Sequence, residues 1–273
     1  MNHDLISDIG KLWARYGTSY LTGIRNTLIL ATVATLIGCV IGFFCGILQT
    51  IPCGPKDSVL KKALLKLLRF VIRIYVEVFR GTPMILQAVF IYYGLPYFFG
   101  IRMDDIWTVS ILVVSINTGA YMTESVRGGI MSIDPGQFEG AKAIGMNHFQ
   151  TMLYIVLPQT LRNILPQIGN NYIINVKDTS VMFIIGFQDF FAVHRDAVGA
   201  LYLYFPSALL EMGGYLFLTL LASFLLRRLE KKMAGRADYE LVNTDQLIMT
   251  AGNYTFSGEN PSEEKNRDLR KTE

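Results

Sequence analysis

Charge is scarce in this chain. Asp, Glu, Lys and Arg make up 17% of its 273 residues, where a soluble domain carries about a quarter. The formal net charge is only +3, and the Lys and Arg residues lie beside apolar runs rather than on one soluble face. That excludes a basic groove for nucleic acid. Cysteine is nearly absent: Cys39, Cys45 and Cys53 have no metal spacing and make no disulfide framework, so they read as plain buried thiols. The three histidines, His3, His148 and His194, are scattered, which supports neither a metal site nor a Ser-His-Asp triad. Glu124 and Glu139 lie in or beside one polar loop, which argues against a paired-carboxylate hydrolase. No G-x4-G-K-[ST] segment occurs, so the chain lacks a phosphate-binding loop of its own. The opening MNHDLISDIGKLWARYGTSY is polar and mixed in charge, unlike a cleavable signal peptide.

What the chain has is apolar length. It is 51% hydrophobic and 12% aromatic, with a mean hydropathy of +0.35. A bilayer core needs about 20 mostly apolar helical residues. The sequence predicts an all-α polytopic membrane protein with five transmembrane helices, at about 26–51, 74–101, 106–124, 163–188 and 206–227. The lead-in LLRFVIRIYVEVFR belongs to the second span as one long helix or an elbow. The fourth span is the weakest, because Lys177 and Asp178 interrupt it. Lys56, Lys61, Lys62, Lys66, Arg69 and Arg73 separate spans one and two, and Arg227, Arg228, Lys231, Lys232 and Arg236 follow span five. The positive-inside rule then puts the N-terminus outside, and the C-terminus and the loop 125–160 in the cytoplasm. Residues 1–233 form the transmembrane domain. Residues 234–273 are polar and read as a disordered cytoplasmic tail.

Charged and polar groups inside a bilayer are expensive and face a cavity or a partner. Asn117, Thr118 and Tyr121 in span three, with Asn171, Asn175, Lys177, Asp178, Thr179 and Ser180 in span four, are candidates to line a passage for a zwitterion. The alternative is that Lys177 and Asp178 pair or cap a helix break. Adjacent residues diverge on a helix, so a break is expected there. Gly38, Gly42 and Gly46 repeat every four residues and permit close helix approach, within the subunit or across a dimer. Pro83 and Pro96 kink or end span two.

The loop is punctuated. Asp134-Pro135 starts a helix, PGQFEGAKAI gives about two turns, and Gly145 suits a left-handed stop. A second helix begins near Asn147 and runs to Pro158. Such a shape protrudes as a rigid knob, and a knob of this kind is a docking element.

Glu139-Gly140-Ala141, three residues, Gly145, nine residues, then Ile155-x-Leu157-Pro158 resembles the EAA-x3-G-x9-I-x-L-P signature of the membrane-spanning permease subunits of ATP-binding-cassette importers. Gly140 departs from the usual Ala, at about 1 kcal/mol of helix stability. FRGTPMILQ (79–87), with Arg80, Gly81, Thr82 and Pro83, and VKDTSVMFIIG (176–186) resemble segments of polar amino acid permeases of the histidine/glutamine/arginine type. AYMTESVRGGIMSIDPGQFEGA also looks like their third span entering the docking loop, and the resemblance covers roughly residues 18–232. It implies that the short helix couples to an ATPase through Glu139, Ala141 and Gly145, with Gln137, Gly140, Lys142 and Ala143 beside them. Glu139 would cap that helix or meet a basic group. It implies two cytoplasmic ATP-binding subunits holding ATP and Mg, a second permease subunit, an extracytoplasmic amino-acid-binding protein, and no cofactor or metal in this chain. A self-contained gradient-driven transporter or channel is the alternative, and a membrane scaffold protein is a third reading.

Overall fold

A computed structural model describes residues 4–54 and 57–233, and every regular element among them is helical. The expected tail, 234–273, lies outside the described residues. Helix α1 (Leu5–Thr50) has 46 residues, about 69 Å at 1.5 Å per residue and thus longer than the bilayer core. It starts well before the expected position 26. Its first half is held by packing: Tyr20 is fully buried, and a Cβ on Gly23 would lie 2.8 Å from the Asp189 carbonyl oxygen.

Helix α1 lies flat against α5 (Ile106–Met131). Cβ atoms built on Gly38, Gly42 and Gly46 would lie 2.6, 2.3 and 2.7 Å from the Cβ atoms of Thr118, Met122 and Val126. The four-residue glycine repeat therefore serves packing within this chain, meeting a four-residue repeat on α5. Helix α5 begins at Asp105, whose carboxylate accepts from the Trp107 and Thr108 N–H groups, and runs through Met131, past the expected end at 124.

The second expected span is two helices. Helix α2 (Val59–Gly81) ends at Thr82-Pro83, and the chain resumes as α3 (Met84–Val89), a π-helical turn (Phe90–Gly94) and α4 (Leu95–Phe99), bent by 111° from α2. Of the two forms expected here, one long helix or an elbow, the chain takes the elbow. Pro83 has no N–H and its ring obstructs the carbonyl four residues back. Pro96 is accommodated in the first turn of α4, directly after the π-helical turn.

Helix α6 (Pro135–Ala143) and α7 (His148–Thr151) flank the tight turn of the loop. Contrary to expectation, the second helix does not stop at Pro158. It passes through a π-helical segment (Met152–Val156) into α8 (Leu157–Asp178), where Pro158 occupies the first turn. A 3-10 helix (Thr179–Ile185) follows, then Gly186 in the left-handed region (φ +90°), α9 (Phe190–Leu201) and α10 (Tyr204–Met233). The α-helix breaks at Lys177-Asp178, as their adjacency implied.

Among the described residues α1, α5 and α10 are long and apolar enough to cross a membrane, and the bent pair α2 with Met84–Phe99 makes a fourth crossing if taken as one span. Helix α8 carries Asn163, Gln167, Asn170, Asn171 and Asn175 and is too polar to count with them; it packs on α1, α5 and α10. The cysteines form no disulfide. Cys39 and Cys45 are half-buried, while Cys53 is exposed, because it lies beyond the end of α1. That corrects its reading as a buried thiol.

Candidate functional site

The elbow after α2 creates the first half of the site. An uninterrupted helix would satisfy the Phe79 carbonyl from residue 83, but Pro83 cannot donate. Gln87 Nε2 donates to Phe79 O (3.0 Å) and Thr82 O (2.9 Å) instead, and Asn117 Nδ2 donates to Phe79 O (3.0 Å) and Gln87 Oε1 (3.1 Å). The Thr82 hydroxyl donates to Val78 O (2.8 Å). Arg80 forms an ion pair with Glu124 and lies 5.3 Å from the Tyr121 ring centroid. The RGTP segment is thereby a rigid corner, and its guanidinium is already neutralised.

The second half comes from α5 and α8. Asn175 Nδ2 donates to Thr35 Oγ1 (2.8 Å) and Thr118 Oγ1 (2.9 Å), tying α1, α5 and α8 together in a buried network. Asn171 Nδ2 donates to Gln167 O (3.0 Å).

Between the halves is a cavity of about 530 Å³ lined by Arg80, Gly81, Thr82, Pro83 and Met84, by Asn117, Thr118 and Tyr121, and by Gln167, Asn171, Ile174, Asn175 and Asp178. Three stretches distant in sequence thus meet at one polar space. Asp178 is half-buried there, and among the described residues no side chain donates a hydrogen bond to it. Three expected lining residues are elsewhere. Lys177 is exposed and points away, as neighbours on a helix must; Thr179 is fully buried and returns its hydroxyl to Val176 O (3.1 Å); Ser180 turns aside on the 3-10 helix. Gln87, Gln167 and Thr35 were missed. Gln87 was signalled by its being a lone polar residue in an apolar run four residues after Pro83, whereas Gln167 and Thr35 were each one among several polar residues of their helix.

The loop forms the knob that its punctuation implied. The Asp134 carboxylate accepts from Gly136 N–H (2.7 Å) at the start of α6, so Asp134 and not Glu139 is the cap. Gly145 has φ +82°, and Asn147 and Gln150 form a reciprocal capping box at the start of α7. Gln137, Glu139, Gly140, Lys142, Ala143 and Gly145 are exposed. Ala141 is not available to a partner: it is 2% exposed. It shares the inward face of α6 with Phe138, which packs against the apolar cluster that includes Ile133 and Met152. This removes Ala141 from the candidate contact surface. Glu139 and Lys142 edge a groove of about 720 Å³ with Arg127, His148 and the end of α1.

A second buried polar group joins α1, α9 and α10. Ser207 Oγ shares hydrogen bonds with Tyr20 Oη (2.9 Å) and His194 Nδ1 (2.9 Å), and His194 Nδ1 lies 3.5 Å from Glu211. Among the described residues no cluster of His, Cys, Asp and Glu has metal-site geometry.

Residues 61–235 match the family described as binding-protein-dependent transport system inner membrane component. The chain is 34% identical over 217 residues to the glutamine transport system permease protein GlnP of Escherichia coli (strain K12), covering 78% of this chain and 92% of that one. It is 31% identical over 213 residues to the arginine transport system permease protein ArtQ of Bacillus subtilis (strain 168), covering 78% and 91%. The crystal structure of an amino acid ABC transporter with histidines superposes with a TM-score of 0.72 at 32% identity, covering 85% of this chain and 100% of that one. An inward-facing MetNI methionine ABC transporter, at 18% identity and a TM-score of 0.64, shares the fold.

Proposed function

Because the chain belongs to the inner membrane components of binding-protein-dependent transport systems, we propose that it forms the translocation pathway of an ATP-driven importer for a polar amino acid. Membership makes it a membrane transporter component rather than an enzyme. The printed activities of its relatives, glutamine and arginine transport, suggest the cargo class. The observation that carries the reading is the pairing of a polar cavity between helices with an exposed, doubly capped helical knob.

Two copies, or this chain and a paralogue, enclose the pathway. Helix α8 is the fifth crossing. The N-terminus lies outside and the C-terminus inside, so α6 faces the cytoplasm. Two ATPase subunits, which hold ATP and Mg, dock on α6 through Gln137, Glu139, Gly140, Lys142, Ala143 and Gly145. An extracytoplasmic binding protein delivers the amino acid. Closure of the ATPase pair draws the knobs together and switches the cavity from inward-open to outward-open, and hydrolysis resets it. With Arg80 neutralised by Glu124, the Asp178 carboxylate meets the cargo's ammonium group, while Gln167, Asn171 and Tyr121 offer hydrogen bonds to its polar end. The gradient-driven alternative leaves the knob without work.

The test is affinity purification of the tagged chain in mild detergent, followed by mass spectrometry of its companions. An ATPase is recovered with the wild type and lost when Glu139 and Gly145 are replaced. Gly145→Trp keeps the helices folded and uncouples ATPase activity from uptake. A chain that emerges alone from several detergents with its fold intact, or wild-type uptake by Gly145→Trp, refutes the docking role.

A further inference from the structure

Helix α2 divides its circumference three ways. Leu65, Ile72 and Val76 are buried against the protein. Leu60, Leu64, Leu67, Val71, Ile74 and Val78, at helical spacing, form an exposed apolar stripe. Lys62, Lys66, Arg69 and Arg73, again three or four apart, form a cationic row beside Ala63, Leu67 and Phe70, and both rows line a groove of about 580 Å³ that Cys53 borders. Among the described residues no acidic side chain lines this groove; Glu77 and Glu124 line the neighbouring cavity that Arg69 and Arg73 also border, and Asp57 is engaged by Lys61 at 2.8 Å. Arg69 Nη2 donates to the Ile51 carbonyl, but its Nε, shut off from solvent, has no hydrogen-bond acceptor among the described residues. The groove sits at the C-terminal end of α1, the end that carries α6: Cys53 lines it, and Pro52 lines the groove beside α6.

A cationic row beside an apolar row suits an anionic amphiphile lying along the helix, and the exposed apolar stripe on that helix places it at a membrane boundary. We propose that this groove binds the phosphate headgroup of an anionic phospholipid from the leaflet on the α6 side. Lys66 and Arg73 flank the phosphate, Arg69 Nε supplies the unused donor, and one acyl chain lies along Ala63, Leu67 and Phe70. Only the description of that leaflet as cytoplasmic rests on the orientation proposed above.

The test uses the full-length chain, delipidated in detergent and titrated with phosphatidylglycerol or phosphatidylethanolamine under native mass spectrometry. Phosphatidylglycerol is retained in preference. In Lys66→Gln/Arg73→Gln its affinity falls about thirtyfold, at roughly fivefold per cation, and Lys66→Arg/Arg73→Lys keeps it. Equal retention of the two lipids by the wild type overturns the proposal without recourse to any variant. So does unchanged affinity in the glutamine variant, or displacement of the lipid by millimolar inorganic phosphate, which would assign the groove to a free anion. Recovery of the ATPase on α6, scored separately, tests the importer reading and leaves the lipid result standing either way.

Discussion

Replacing Gly42 by alanine adds one methyl group, and the α1–α5 contact turns that addition into a destabilisation. The new carbon would lie 2.3 Å from Met122 Cβ and 2.8 Å from the Met122 carbonyl carbon. Carbon atoms rest at about 3.5–4.0 Å, so the helices must part by roughly 1 Å or more. Overpacking of this kind costs about 1–3 kcal/mol, offset by about 1 kcal/mol of helix propensity gained over glycine. The net loss is up to about 2 kcal/mol, or up to about 8 °C in Tm for a chain of this size. Gly10 provides the control on the same helix, since a Cβ there meets nothing within 4 Å. Gly10→Ala should raise Tm by about 2–4 °C on the same scale. The clash at Gly42 is with Cβ and backbone, which Met122→Ala retains, so that second change should not rescue Gly42→Ala. Thermal unfolding of the purified chain in one detergent measures all four proteins. Equal midpoints for Gly42→Ala and Gly10→Ala, or rescue by Met122→Ala, would refute the close approach of α1 and α5.

Asn175→Ala strands the Thr35 and Thr118 hydroxyls and should cost about 2 kcal/mol, read as a lower Tm; an unchanged midpoint would mean the network carries no stability. Asp178→Asn should raise the KM for uptake about tenfold or more, the scale of a charged hydrogen bond, while ATPase recovery stays unchanged. An unaltered KM would remove Asp178 from the pathway. The Thr108 hydroxyl, with the Thr108 and Trp107 N–H groups, holds the Asp105 carboxyl below the usual aspartate range. Its folded pKa lies below the unfolded value of about 3.9, so the cap stabilises fully above that value and is lost as pH falls through the folded pKa. Acid unfolding of the wild type should therefore steepen below about pH 4 relative to Asp105→Asn, and parallel curves would contradict this.

The knob was legible because its signals are local. Asp134, Pro135, Gly145 and Asn147 act on backbone groups within a few residues of themselves, so their identity and spacing suffice. The faces of the knob were not legible: a spacing rule names Ala141 but does not say that it turns inward beside Phe138. Helix ends depart from the expected span limits where packing decides. Helix α1 extends to Leu5 because α9 and α10 cover it, contacts far away in sequence. The break at Asp178 followed from the adjacency of two charges, yet which of Lys177, Asp178, Thr179 and Ser180 reaches the cavity depended on the tighter 3-10 winding that follows.

From His148 to Asp178 the backbone is helical without a gap, a rod of about 46 Å at 1.5 Å per residue. One end borders the knob and the other borders the cavity. Any coupling between knob and cavity along this segment must act in both directions. If docking at α6 changes the cavity's hold on an amino acid by some factor, the amino acid changes the docking constant by that same factor. The solute is then an effector of its own ATPase, and the partner's dissociation constant, measured with and without solute, gives the coupling free energy with no turnover at all.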